Sequence, residues 1–134
     1  MTGLRVRQHV IDDVVAHARR ELPNECCGLL LGRDDEIDES YPARNVRESA
    51  TRFLIDPGDH FAAIRCARAS GRTVRGAYHS HPHGPSAPSA SDAAELTDPS
   101  LVHMIVSLEA DEPRVGVFRW ADGNFVGVDL VPEP

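Results

Sequence analysis

The chain has 134 residues, 41% of them hydrophobic, and a formal net charge of −7 at pH 7. That length and apolar content suit one compact domain over 1–134 with no room for a second, and the acidic balance argues against a general nucleic-acid binder, which needs a basic surface to neutralise phosphates. Three cysteines without a repeated Cys-x-x-Cys pair support neither a disulfide framework nor a cysteine zinc ribbon.

No apolar run is long enough to span a membrane, and residues 1–6 lack the basic-then-apolar layout of a signal peptide, so a soluble cytoplasmic protein with reduced thiols is expected. Residues 4–6 read as a short strand. From Gln8 the apolar residues Val10, Ile11, Val14, Val15, Ala18 and Leu22 recur at helical spacing up to Pro23. His9 and His17 within this helix read as surface or boundary histidines. Pro23-Asn24 ends the helix, and the nearly continuous apolar run 26–31 predicts a buried strand with Glu25 at its entrance. By position alone, Glu25 is the last solvated residue before the core. Cys26 and Cys27 read as small buried hydrophobes.

The charged stretch 33–40 predicts a hairpin turn into a strand around 37–41. Residues 45–46 and 52–55 alternate like strands, and Asp56-Pro57-Gly58-Asp59 turns the chain into a second helix that ends near Ser70-Gly71. Its apolar side is predicted to carry Phe61, Ile64, Ala67, Ala62, Cys66 and Ala69.

Residues 73–78 predict a strand, at whose end His79 and His81, two apart, point to one face. A Pro/Ser-rich loop follows, stiffened by Pro82, Pro85 and Pro88. Ser89 can then cap a short helix with Asp92 near its start. Two imidazoles and one carboxylate make a three-ligand metal site with a fourth position open to water, the pattern of a catalytic rather than a structural zinc. Taken singly, a His-x-His at a strand end and a Pro/Ser-rich loop are ordinary; the conjunction of His-x-His, seven residues, Ser, two residues and Asp is far more restrictive. Residues 101–108 then predict an apolar strand, residues 114–120 and 125–130 a hairpin joined by Ala121-Asp122-Gly123-Asn124, and Pro132-Glu133-Pro134 a frayed tail. The order of elements indicates a mixed sheet packed against helices.

The run His79-Ser80-His81-Pro82 through Ser89-Ala90-Ser91-Asp92, with Glu25 ahead of Cys27-Gly28-Leu29-Leu30-Leu31-Gly32, resembles the JAMM motif of the MPN-domain metalloproteases of the small bacterial type. Asn45, Phe53 and Asp56-Pro57 echo bacterial members as well, and the resemblance covers roughly 8–130. It implies an α/β fold, a single cytidine-deaminase-like MPN domain with a mixed β-sheet packed between helices. It also implies one zinc per chain on His79, His81 and Asp92, with Glu25 as general base and then general acid. Ser89 has two readings, a helix cap or a stabiliser of the oxyanion. His83 either touches metal or substrate or is a solvated loop residue.

The same resemblance implies hydrolysis of a peptide or isopeptide bond after the C-terminal Gly-Gly of a ubiquitin-like sulfur-carrier protein; charge and hydropathy add the expectation of neither nucleic acid nor membrane as partner. The short connections lack the long insertions with which eukaryotic members grip ubiquitin. A Gly-Gly tail is narrow enough to pass the metal, and could lie along a sheet edge taking main-chain hydrogen bonds. Two other functions belong to similar sequences. One is a non-catalytic MPN scaffold, against which the retained ligands count. The other is a RadC-like DNA-repair-associated protein, against which the Glu-x-Cys-Gly strand counts.

Overall fold

The computed structural model describes residues 3–134; Met1 and Thr2, part of the stretch read for a targeting signal, lie outside them. Among the described residues, seven strands and three helices follow one another as β1 (Gly3–Arg7), α1 (Gln8–Arg20), β2 (Cys27–Arg33), β3 (Glu36–Ala43), α2 (Pro57–Ala69), β4 (Thr73–His81), α3 (Ala90–Ala94), β5 (Val102–Ser107), β6 (Arg114–Ala121) and β7 (Asn124–Glu133). No helix among the described residues is long and apolar enough to cross a membrane.

The strands lie in the order β1-β3-β2-β4-β5-β6-β7, and β7 returns to β1, so the mixed sheet closes on itself. β1 runs parallel to both β3 and β7, and β4 runs parallel to β5; the other pairs are antiparallel. Closure corrects the expected fraying of the C-terminus. Pro132 pairs with Val6 and Glu133 with Arg7, and the Arg7 guanidinium donates to the Pro134 carbonyl at 3.0 Å. Pairing with a strand so distant in sequence leaves no local trace in a Pro-Glu-Pro run.

Each face of the sheet has its own core. On one, Val10, Val14 and Ala18 of α1 pack against Val6, Leu30, Ile37, Tyr78, Met104 and Val106. Only alternate strand residues take part, as the pleat requires. On the other, Ala63 and Ala67 of α2 cover Cys27, Leu29, Leu31 and Ala43. The predicted apolar side of α2 holds for Ala67 and Cys66 but not for Phe61, which is 66% exposed, while Ala63, outside the predicted set, is buried. Apolar residues are spread around this helix, so spacing alone does not single out the buried stripe.

Two further expectations change. His17 is buried rather than a boundary residue, and its Nδ1 lies 2.7 Å from the Tyr78 hydroxyl. Burial lowers its pKa, with Glu21 opposing. Residues 45–46 and 52–55 form no strands and meet only in an isolated Asn45–Ile55 bridge. The backbone groups a strand would pair are taken instead by the Asn45 side chain, which accepts from the Arg47 and Leu54 amides and donates to the Arg52 carbonyl. The 121–124 hairpin matches expectation: Asp122 and Gly123 both have positive φ, as a two-residue turn between twisted strands requires.

Candidate metal centre

The sheet register assembles the site. Cys27 of β2 pairs with His79 of β4 in antiparallel register, so two residues further along, Glu25 comes opposite His81. The backbone carries the pairing that far, because the Ser80 amide donates to the Cys26 carbonyl at 3.2 Å and the Cys26 amide donates to Ser80 Oγ at 2.8 Å. Glu25, Cys27, His79 and His81 thus share the face covered by α2, while Tyr78 and Ser80 point the other way. Glu25 is 3% exposed, so it is not the solvated strand entrance that its position alone suggests.

Asp92 arrives from α3. Ser89 Oγ accepts from the Asp92 amide at 3.1 Å and the Ser89 amide donates to Asp92 Oδ2 at 2.9 Å, a reciprocal capping box. This fixes Oδ2 at 3.1 Å from both His79 Nε2 and His81 Nε2, which are themselves 3.1 Å apart. Three donor atoms thus form a triangle with near-equal edges. Tetrahedral coordination with metal–ligand bonds of about 2.0–2.1 Å puts neighbouring donors about 3.3 Å apart, so the triangle has the size of one face of a zinc tetrahedron. A Glu25 carboxylate oxygen and one ring nitrogen each from His79 and His81 lie within 4.8 Å of one another, putting Glu25 beside that face.

Protonation supports the fit. His81 Nδ1 lies 2.7 Å from the Pro85 carbonyl, which can only accept, so Nδ1 carries the hydrogen and the neutral ring turns a bare Nε2 toward Asp92 and His79. Facing lone pairs around a carboxylate suit a cation at their centre, and the Pro85 contact is the outer-sphere partner that metal-binding imidazoles ordinarily have. Burial lowers the His79 pKa, against the pull of Asp92. For His81 burial opposes protonation, but the Asp92 carboxylate and the Pro85 carbonyl outweigh it and raise the pKa. Burial also works against the Asp92 carboxylate, and the two histidines and the Ser89 amide overcome it, holding the carboxyl below its ordinary range. Glu25 goes the other way: burial pushes it up to about 8, with His81 opposing. Cys26 and Cys27, raised by burial to about 11 and 12, are inert thiols as expected.

Other residues frame this centre. Phe53 stacks on the His79 ring at a centroid distance of 4.2 Å, and Ser107 Oγ donates to the Gly84 carbonyl at 2.6 Å, tethering the loop between the histidines and Asp92. Ser107 carries no motif signal; only the parallel β4–β5 pairing brings it there. His83 is exposed on that loop. A cavity of about 390 Å³ opens beside His79 and Asp92, lined by Leu29, Phe53, Ala77, His103 and Phe125 among others.

Comparison with known proteins gives the family. The family described as prokaryotic homologs of the JAB domain matches residues 7–121. The chain is 31% identical over 123 residues to the CysO-cysteine peptidase of Mycobacterium tuberculosis, covering 90% of this chain and 84% of that one. It is 29% identical over 129 residues to the desampylase of Haloferax volcanii, covering 91% of each. The solution structure of a protein from Desulfitobacterium hafniense superposes with a TM-score of 0.90 at 32% identity, over 97% of this chain and 92% of that one. A match across most of the chain, joined to a buried cluster of two histidines and a glutamate, places the chain among the prokaryotic JAB-domain proteins, as a metallopeptidase of the JAMM type.

Proposed function

We propose that this protein hydrolyses the peptide or isopeptide bond that follows the C-terminal Gly-Gly of a ubiquitin-like sulfur-carrier protein, with one zinc per chain on His79, His81 and Asp92. The observation that carries the reading is the 3.1 Å donor triangle with a buried glutamate beside it. Zinc in such a donor set supplies a Lewis acid and lowers the pKa of water to about 7. His79, His81 and Asp92 hold it, and Pro85 and the Ser89 amide keep two of those ligands in place. Glu25 takes a proton from the attacking water and returns it to the leaving amine. Its upward shift suits that exchange, and a cation nearby draws the value back toward neutrality.

Both readings of Ser89 are compatible. Its Oγ accepts from the Asp92 amide as a cap, which leaves the hydroxyl hydrogen free to donate to an oxyanion. We expect Ser89→Ala to lower kcat by about 10²–10³-fold, the usual cost of one oxyanion donor. Losing a cap alone costs only about 1 kcal/mol of stability. Turnover within threefold of wild type, measured with zinc content and melting temperature, would leave Ser89 as a cap only.

The names of the relatives support the substrate class: one is a CysO-cysteine peptidase, the other a desampylase. The cleft lined by Phe53, Ala77 and Asp92 gives the tail a path over the sheet face beside the donor triangle. The test is mass spectrometry of a Gly-Gly-ended carrier bearing one extra C-terminal cysteine, incubated with zinc-loaded protein. Loss of that cysteine is expected, and much slower cleavage of a short peptide with the same tail, because specificity comes from docking of the carrier's body. Equal cleavage of the peptide refutes body docking; no cleavage of any Gly-Gly carrier refutes the substrate class.

A further inference from the structure

The Glu25 side chain is held by almost nothing of its own. Oε1 is buried without a hydrogen-bond partner, so its aim depends on the backbone that carries it. That backbone is gripped on both sides by one loop. The Glu25 amide donates to the Ser49 carbonyl at 2.8 Å, and the Glu25 carbonyl accepts from Asn45 Nδ2 at 3.1 Å.

Asn45 is the hub of that loop. It is buried, and both donor hydrogens and both acceptor lone pairs of its amide are used: it donates to Glu25 and Arg52 and accepts from Arg47 and Leu54. Two donors and two acceptors at the end of so short a stem are found in no other side chain of this size. The same loop carries Phe53 onto His79, and Arg47 and Arg52 both reach Glu95 at the end of α3, at 3.2 and 3.1 Å.

We infer that Asn45 is a positioning residue for Glu25, fixing the peptide from which the carboxylate swings toward the metal-facing side of His79 and His81. The inference rests on Glu25 as the base proposed above. A general base must lie within hydrogen-bond reach of the proton it removes, and misplacement by about 1 Å costs about 10²-fold in rate. With no side-chain bond to correct it, an unrestrained Glu25 backbone passes its whole displacement to the carboxylate.

Asn45→Asp tests this, because the carboxylate can still accept from Arg47 and Leu54 and so close the loop, but cannot donate to Glu25. With zinc-loaded protein and the carrier–cysteine substrate, Asn45→Asp should lower kcat by about 10²-fold, leaving KM and zinc content as in wild type. In a Glu25→Gln background the same change should cost nothing further, since the group it positions is already disabled. A second readout needs neither metal nor turnover: in the metal-free protein the Glu25 amide should exchange with solvent faster, while Leu30 on the same strand keeps its protection. Asn45→Ser, too short to reach the Glu25 carbonyl and uncharged, carries the same expectations, which separates positioning from added charge and serves should the aspartate variant not fold. Wild-type kcat in both variants, an equal loss in the two backgrounds, or unchanged Glu25 exchange overturns the inference. Wild-type turnover in Glu25→Gln alone overturns the base assignment itself, and is read from a different protein.

Discussion

Glu25→Gln is expected to keep its fold and its metal while turnover falls by about 10²–10⁴-fold, the span general acid–base catalysis ordinarily covers. The substitution is nearly isosteric, and it removes a carboxyl that burial makes costly to ionise. Metal-free stability should therefore not suffer, and should rise relative to wild type as the pH goes up. The sign follows from linkage. The Glu25 pKa is raised in the folded protein to about 8 from an ordinary 4.5, so the folded state holds a proton that the unfolded state has released. In the metal-free wild type that contribution is present below pH 4.5 and is lost as pH rises toward 8. Denaturation of both metal-free proteins across that window, beside single-turnover kinetics of the zinc-loaded ones, checks the two halves together. Turnover equal to wild type would place the base elsewhere; loss of zinc from the glutamine variant would make Glu25 a ligand.

His79→Ala combined with Asp92→Ala should abolish zinc binding, and with it all turnover above background. Two of the three atoms in the donor triangle disappear, leaving one bare nitrogen on His81, fixed by Pro85, with the Glu25 carboxylate beside it. Elemental analysis of tag-free protein purified without chelator reads the metal directly. Thermal melts give an independent measure: zinc at 100 times its dissociation constant stabilises the wild type by about 2.7 kcal/mol, and should leave the double variant unmoved. Zinc undiminished in the double variant would sink the ligand assignment. The variant's metal-free stability is a separate matter, because Asp92 also closes the capping box with Ser89; comparison with metal-free wild type isolates that cost, about 1 kcal/mol for a lost cap.

Much of the candidate site's geometry is local. A spacing of two on a strand puts His79 and His81 on one face whatever the strand's neighbours are, because the pleat alternates by residue. Ser89 three residues ahead of Asp92 writes a capping box, and the box fixes the carboxylate that reaches both imidazoles. The Asp122-Gly123 turn, the apolar run of β2 and the period of α1 are local in the same sense: each follows from backbone sterics or from one face's burial.

Only the tertiary structure decided which strand lies beside which, and with that the rest of the centre. By position alone Glu25 reads as solvated; the antiparallel register of β2 on β4 is what sets Glu25 opposite His81 and buries it. Closure of the ring turned a tail of prolines into the end of β7. The Asn45 side chain displaced two expected strands by bonding the backbone groups they would have paired. Long-range pairing is paid for by many weak contacts spread over distant residues, so no short stretch of sequence records it; a turn or a cap is fixed within a few residues, and there the sequence alone suffices.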